Sequence, residues 1–195
     1  MCNIESLSFA LDISLSMSLQ YSQQFWKPLA TQLVDEMMKN NVAVDNFYLF
    51  TYVNGDQIDH DISKVSTSNP EEFKKAISNW SKFSGTIELT LDALKHAMKR
   101  VNKNAFVCIW TDEIGDNKDE WLHNEILRLK ASTKSEIFFM VVTKPVLENQ
   151  RRYVDKIEEY QNKFGSFGHV MDIVNDPNVI SEVMKIMKDS AICDG

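Results

Sequence analysis

Oxygen-bearing side chains follow a short apolar run near the start of the chain. The run Leu7 to Leu11 ends at Asp12, and Ser14 and Ser16 follow at alternate positions. In an extended loop, side chains at every second position point to the same side, so these three groups can converge on one point. Carboxylate and hydroxyl oxygens are the ligands that hard cations such as Mg²⁺ prefer. The D-x-S-x-S pattern therefore predicts a cation site.

Two more segments bring oxygen atoms that one loop alone cannot supply. The stretch Gly85-Thr86-Ile87-Glu88 precedes a predicted helix, and Thr111-Asp112 directly follows an apolar run that ends at Trp110. In an open α/β sheet, ligands bind beyond the carboxyl ends of the strands, near the point where strand order reverses. We expect both segments to lie at that end of the sheet and to approach the first loop.

Buried apolar runs alternate with segments of helical periodicity along the whole chain. Strands are predicted over 7–11, 42–53, 57–63, 105–110, 137–142 and 168–174. Helices are predicted over 19–40, 70–80, 89–101, 118–131, 146–164 and 177–188. Asn54-Gly55 indicates a hairpin, so the half-polar segment 57–63 is expected to be an antiparallel edge strand.

This alternation predicts an α/β fold, a doubly wound, mainly parallel six-stranded sheet with one antiparallel edge strand and helices on both faces. Pro28 lies inside the first helix and predicts a kink or a break there. Asp176 is placed to cap the last helix. No linker, repeat or low-complexity tract divides the sequence, so a single domain over residues 1–195 is expected.

Composition narrows the classes of partner. The chain has 195 residues, of which 44% are hydrophobic and 25% charged, as in soluble globular proteins. The formal net charge of −7 repels phosphate backbones and anionic lipid surfaces, which argues against nucleic acid as a partner. The sequence has no apolar run of the length that a membrane-spanning helix needs, so no membrane insertion is expected.

Three cysteines are a sparse and odd set. Cys108 lies in an apolar run and is expected to be a core residue, while Cys2 and Cys193 lie near the two ends of the sequence. This count indicates no disulfide framework. Without a recognisable signal peptide, a reducing, cytoplasmic setting is the simpler interpretation, although a chain from which a signal peptide was removed would look the same.

The three oxygen-rich segments, in this order of elements, resemble the metal-ion-dependent adhesion site (MIDAS) of von Willebrand factor A domains. The resemblance spans nearly the whole sequence and is nearest to hemicentin-like domains. It implies that Asp12, Ser14, Ser16, a residue of the Gly85 loop and Asp112 surround Mg²⁺, with Mn²⁺ or Ca²⁺ as alternatives. The serines and the loop residue would bind directly, the aspartates partly through water. A carboxylate of a protein partner would complete the shell.

Two points of the resemblance stay open. Thr86 has the position of the family's usual threonine, whereas hemicentin and integrin β versions use a glutamate that would correspond to Glu88. Leu15 and Glu113 stand where many members have glycine, which is chosen where a backbone needs positive φ or close approach. These departures allow either a working site or a weakened one.

The same residues also have purely structural explanations. Ser14, Ser16 and Ser18 precede a helix and can cap it, and Asp112 can be a turn residue. The four histidines are scattered without ligand spacing, so surface or packing roles are expected for them.

Three functions follow from these interpretations. The first is a cation-dependent protein-binding module, not an enzyme, whose partner exposes an Asp or Glu. The second is a metal-free scaffold domain. The third is a metal-dependent hydrolase, for which Glu88, Glu113 or Asp116 would have to be the general acid or base.

Overall fold

The central sheet of the computed structural model has six strands, and the structure describes residues 2–52, 65–85, 90–100, 104–113, 120–143, 157–190 and 193. The strands are β1 (Cys2–Asp12), β2 (Val42–Tyr52), β3 (Val65–Thr67), β4 (Ala105–Thr111), β5 (Glu136–Val141) and β6 (His169–Asp172). Their order in the sheet is β3-β2-β1-β4-β5-β6. All neighbours are parallel except β2 and β3, which confirms the predicted doubly wound sheet with one antiparallel edge strand.

The antiparallel edge strand is β3, a three-residue segment that pairs with the middle of β2, where Leu49 faces Val65 and Phe47 faces Thr67. The segment 57–63, for which this strand was predicted, lies outside the described residues. An antiparallel edge strand is confirmed, and residues 65–67 form it, while the strand predicted over 57–63 stays a prediction.

The described residues form six α-helices, which lie between or after the strands. They are α1 (Gln20–Lys39), α2 (Pro70–Ser78), α3 (Thr90–Arg100), α4 (Glu120–Thr133), α5 (Ile157–Phe164) and α6 (Val179–Asp189). Pro28 lies within α1 without interrupting it, so of the two predicted alternatives, a kink or a break, the break is excluded. The predicted cap of α6 is wrong: the N-cap is Asn178, whose backbone N–H donates to the Asp176 side chain. None of the described helices is long and apolar enough to cross a lipid bilayer.

The helices cover both faces of the sheet, so the strands are buried on two sides. One core contains side chains of α1, α2 and α6 against β1, β2, β4 and β5, with the Phe9 ring centroid 5.0 Å from Phe73 and 5.3 Å from Trp110. The opposite core contains α3, α4 and α5, where Phe139 and Phe164 stack at 4.3 Å. Every residue of β4 is buried, which explains the apolar run over 105–110.

The cysteine prediction is wrong in one respect. Cys2, at the start of β1, forms a disulfide with Cys193, which follows α6 by a few residues. Cys108 is free and buried in the core, as expected. Pairing between cysteines 191 positions apart depends on the sheet order, which places the start of β1 close to the end of the last helix, and no local pattern signals it.

Candidate metal site

Asp12 is the last residue of β1 and lies at the switch point of the sheet. Strand β1 has β2 on one side and β4 on the other. The strands that follow β1 in the chain first extend the sheet on the β2 side, and from β4 onward they extend it on the other side. The Asp12 side chain is fully buried. Its Oδ1 accepts a hydrogen bond from the Ser14 backbone N–H at 2.8 Å, and its Oδ2 accepts one from Thr111 Oγ1 at 2.7 Å. The carboxylate thus connects the first loop with the end of β4.

The two serines of the first loop face each other. Ser14 is buried, Ser16 is half-buried, and their Oγ atoms are 3.1 Å apart. A short 3₁₀ helix, Leu15–Ser18, fixes the loop. Neither serine caps α1, whose N-cap is Leu19 and has no side-chain cap bond. The capping explanation of these serines is therefore wrong, and their hydroxyl groups are directed toward each other instead.

The loop that contains Gly85 is held against the first loop. The Ser84 N–H donates to the Ile13 carbonyl at 2.8 Å, and the Leu15 N–H donates to the Gly85 carbonyl at 3.1 Å. Gly85 has a φ of 85°, in the left-handed region that favours glycine. Residues 86–89 lie outside the described part of the chain, so the choice between Thr86 and Glu88 is left open. The backbone immediately before them reaches the site.

Asp112 follows β4 and is 2% exposed. The Thr111 hydroxyl donates to Asp12 and also lies 3.2 Å from the Glu113 backbone N–H, which donates to it. Asp112 directly follows Thr111, whose hydroxyl bonds to Asp12, and the Asp112 charge helps to raise the pKa of Asp12. The structure thus brings together four of the six residues predicted from the sequence, Asp12, Ser14, Ser16 and Asp112.

The missing glycines leave no strain in the backbone. Within the described ranges, positive φ at residues other than glycine occurs only at Asn41, Asn104 and Lys134. Leu15 instead begins the 3₁₀ helix, a conformation open to any ordinary residue. The departure at Glu113 is likewise free of a positive φ. Neither substitution distorts the loop that it belongs to.

The electrostatics of the site favour a positive charge. Burial and, secondarily, the nearby Asp112 charge raise the pKa of Asp12 from 3.8 to about 7, against the opposing effect of its hydrogen bonds. Burial and the Asp12 charge also raise the pKa of Tyr52, whose hydroxyl group lies 3.2 Å from Thr90 Oγ1. The buried carboxylates of Asp12 and Asp112 repel each other when both are ionised. A bound cation would offset this repulsion.

The donor atoms fit a small hard cation. Two adjacent ligands of an octahedral Mg²⁺ are about 2.9 Å apart, and the Ser14 and Ser16 Oγ atoms are 3.1 Å apart. Both oxygens of Asp12 already accept hydrogen bonds, which suits a carboxylate that reaches the cation through water. The described residues contain no group of three or more His, Cys, Asp or Glu that could hold a metal, so a cation here would depend on the serine hydroxyls.

Tyr160 on α5 is a part of the site that the sequence did not indicate. It is buried, and its hydroxyl group donates a hydrogen bond to the Asp112 carbonyl at 3.0 Å. Because α5 packs on the face opposite to α1, this bond fixes the Asp112 turn from the far side of the sheet. A tyrosine at a helical core position predicts packing only, so no signal in the sequence could have identified this contact.

The described histidines, His96, His123 and His169, make packing or ion-pair contacts. His169 Nε2 pairs with Glu136 Oε2 at 3.1 Å. These residues begin β6 and β5, so the pair lies at the amino-terminal ends of the parallel strands, opposite to the candidate site. The His123 ring packs against Phe167 with centroids 4.6 Å apart. Both observations agree with the packing and surface roles predicted from their spacing.

The comparisons with solved structures agree with this architecture. A von Willebrand factor type A protein from Catenulispora acidiphila superposes with a TM-score of 0.59 at 12% identity, covering 96% of this chain and 43% of that one. The pilus adhesin SpaC from Lactobacillus rhamnosus GG, in an open conformation, gives 0.59 at 14% identity, covering 96% and 30%. Proximal thread matrix protein 1 from the mussel byssus, with a zinc-occupied MIDAS motif, gives 0.55 at 16% identity, covering 98% and 49%.

The chain spans less than half the length of each of these three proteins. At such low identities the superpositions show the fold alone. No curated protein sequence matches significantly. The sequence model of the von Willebrand factor A domain, however, matches residues 6–173, which include the larger part of β1, all of β4 and all the residues of the candidate site. The chain is a member of the von Willebrand factor A domain family.

Proposed function

We propose that this domain is a protein-binding module that captures an acidic group of its partner through a divalent cation. The ligands would be Ser14, Ser16 and either Thr86 or Glu88, with Asp12 and Asp112 binding through water. The observation behind the proposal is the buried pair of carboxylates beside two facing serine hydroxyls at the switch point of the sheet. The bound cation would supply a positive charge that a partner's carboxylate can complete.

The comparisons support the coarser part of this proposal. Von Willebrand factor A domains are modules that often mediate protein interaction, and one structural neighbour is a pilus adhesin. Another neighbour has zinc in its MIDAS motif, which makes a divalent metal plausible for this chain. Mg²⁺ is our first choice because its preferred ligands are oxygen atoms, with Mn²⁺ and Ca²⁺ as alternatives.

A melting series with added metal tests the proposal. A ligand that binds only the folded state raises the free energy of unfolding by about 2.7 kcal/mol at a hundred times its Kd. We expect Mg²⁺ or Mn²⁺ to raise the melting temperature of the wild type and to have little effect on Ser14→Ala. Ser66→Ala is the matched control, because Ser66 is exposed on the edge strand β3. A wild type whose melting temperature is unchanged by Mg²⁺, Mn²⁺, Ca²⁺ and Zn²⁺ would refute the proposal.

The contact from Tyr160 predicts a second measurable effect. Tyr160→Phe removes the hydrogen bond to the Asp112 carbonyl and loosens the turn that positions this carboxylate. Because groups that orient metal ligands contribute about tenfold or more to affinity, we expect the Kd for Mg²⁺ to rise by about tenfold, measured by calorimetric titration. Tyr21→Phe is the control, since the Tyr21 hydroxyl bonds to Thr143 instead. Equal Mg²⁺ affinities in both variants would contradict this role of Tyr160.

We propose binding rather than catalysis. Of the acids that a hydrolase would need, Glu88 and Asp116 lie outside the described residues, and Glu113 is half-buried beside Thr111. A generic phosphoester assay with Mn²⁺ separates the two functions. Turnover that disappears in Asp112→Ala would establish the hydrolase, whereas we expect no turnover above that of the variant.

The cellular setting is also a proposal. A reducing, cytoplasmic setting was expected from the sequence, whereas the Cys2–Cys193 disulfide supports an oxidising compartment, since cytosolic thiols are kept reduced. Trapping free thiols by alkylation at the moment of cell lysis decides between them. We expect Cys108 alone to be alkylated after denaturation, and modification of all three cysteines would place the protein in a reducing compartment.

A further inference from the structure

Two leucines stand out on the face that contains the candidate metal site. Leu15 is 52% exposed and Leu19 is 58% exposed, and they are the two large hydrophobic side chains that are exposed in the described part of the chain. Leu15 begins the 3₁₀ helix that contains Ser16, and Leu19 directly follows this helix. Scattered exposed leucines need no explanation, but two of them beside the facing serines coincide with the point where a partner would dock.

The backbone on both sides of each leucine is held in place. The Leu15 N–H donates to the Gly85 carbonyl at 3.1 Å, and its carbonyl accepts a hydrogen bond from Ser18 Oγ at 2.6 Å. The Leu19 N–H donates to the Ser16 carbonyl at 3.3 Å, and its carbonyl accepts from the Gln23 N–H at 3.0 Å. The side chains are therefore presented from an ordered backbone, so a partner that contacts them pays little to order this loop.

The position of the leucines sets the kind of segment that can reach them. Leu15 lies between the two serines in sequence, and a 3₁₀ helix rises about 2 Å per residue, which places Leu19 about 6 Å along the helix from Ser16. In an extended peptide, side chains two positions apart lie on the same side about 7 Å from each other. If a partner peptide places an acidic side chain at the two serines, the peptide residue two positions before or after it would therefore lie near one of the two leucines.

We propose that the site is specific for an extended protein segment in which an Asp or Glu has a bulky apolar residue two positions before or after it. This inference rests on the proposed function, because the carboxylate is taken to bind the cation. Leu15 and Leu19 would act as specificity-determining residues that contact the apolar side chains. Burying the exposed part of one leucine against an apolar partner contributes on the order of tenfold to the Kd.

Capped peptides test this inference by NMR titration of the ¹⁵N-labelled protein in Mg²⁺ and in EDTA. The probe is acetyl-Gly-Leu-Ser-Asp-Ser-Leu-Gly-amide, whose single carboxylate is the aspartate. Acetyl-Gly-Ser-Leu-Asp-Leu-Ser-Gly-amide has the same composition with the leucines moved to adjacent positions, and a third peptide replaces both leucines with serine. We expect the first peptide to bind on the order of a hundredfold more tightly than the other two in Mg²⁺, about tenfold for each leucine, and none to bind in EDTA.

Variants of the two leucines complete the test. Leu15→Ser and Leu19→Ser should each reduce the preference for the first peptide by about tenfold, while Leu15→Met and Leu19→Met should keep it. All four should retain the rise in melting temperature with Mg²⁺, which shows that they fold and bind the cation. Equal binding of the first peptide by the wild type and both serine variants, with the Mg²⁺ effect intact, would overturn this inference and leave the proposed function standing.

Two further results would also overturn the proposed peptide specificity. A wild type without any Mg²⁺ effect would refute the proposed function and this inference together. A second copy of the chain is the competing occupant of the leucine surface. Sedimentation that shows a dimer in the wild type and a monomer in Leu15→Ser would overturn the peptide specificity in favour of self-association.

Discussion

In EDTA at pH 8, the Asp12→Asn variant is expected to be more stable than the wild type, although it replaces a residue of the proposed metal site. The Asp12 carboxyl group is fully buried, and burial together with the Asp112 charge raises its pKa from 3.8 to about 7. Between these two values the folded state binds a proton that the unfolded state does not. Wild-type stability from this group therefore falls as the pH rises from about 4 to about 7.

The size of this effect follows from the shift. Each pKa unit corresponds to about 1.36 kcal/mol, so ionised Asp12 costs the metal-free fold about 4 kcal/mol above pH 7. Asparagine can keep the hydrogen bond from the Ser14 N–H without the charge. We expect Asp12→Asn to melt on the order of 10 °C higher at pH 8 and at the same temperature as the wild type near pH 4.

Metal is expected to narrow the difference in stability between the two proteins. Saturating Mg²⁺ is expected to stabilise the wild type at pH 8 and to leave Asp12→Asn unchanged. Asp45→Asn is the matched control, because Asp45 is exposed on β2 and should respond to Mg²⁺ as the wild type does. Parallel stability curves for the wild type and Asp12→Asn from pH 4 to pH 8 would show that ionised Asp12 does not destabilise the fold. This result would contradict the electrostatic argument for a bound cation.

The fold could be predicted because its strands are buried on both faces. Apolar runs such as 105–110 and 137–142 are unambiguous when helices of clear periodicity separate them, and β4 and β5 lie within one residue of the predicted limits. The start of β1 was placed too late, at Leu7. Polar Asn3 and Glu5 alternate with buried residues at its beginning, which obscures a strand that pairs with β2 from Cys2 onward.

The candidate site was predictable to the extent that its residues are local in sequence. Asp12, Ser14 and Ser16 share one loop, and the switch point of a doubly wound sheet places the end of β4 beside them. The edge strand β3 is too short for an alternating pattern, and the Tyr160 contact joins residues 48 positions apart across the sheet. Features of this kind depend on the tertiary arrangement and leave no local signal.

Removing the disulfide is expected to destabilise the fold strongly without affecting the proposed site. The bond joins residues 191 positions apart and so restricts nearly the whole unfolded chain. Chain entropy gives an upper estimate of about 5 kcal/mol for such a loop, and native disulfides typically contribute about 2–5 kcal/mol. The double variant Cys2→Ser/Cys193→Ser should lose stability in this range in denaturant unfolding. Reductant should weaken the wild type similarly and leave the variant unchanged.

Because the disulfide lies far from the candidate site, its removal should lower the stability of the fold without changing the affinity for Mg²⁺. Cys2 and Asp12 are the two ends of β1, an 11-residue strand that is about 33 Å long. Well below its melting temperature, the double variant should therefore bind Mg²⁺ with the wild-type Kd. A large loss of Mg²⁺ affinity would show that the two ends of β1 are coupled. Unchanged stability would mean that the bond does not form in the native protein, and this result would support a reducing compartment.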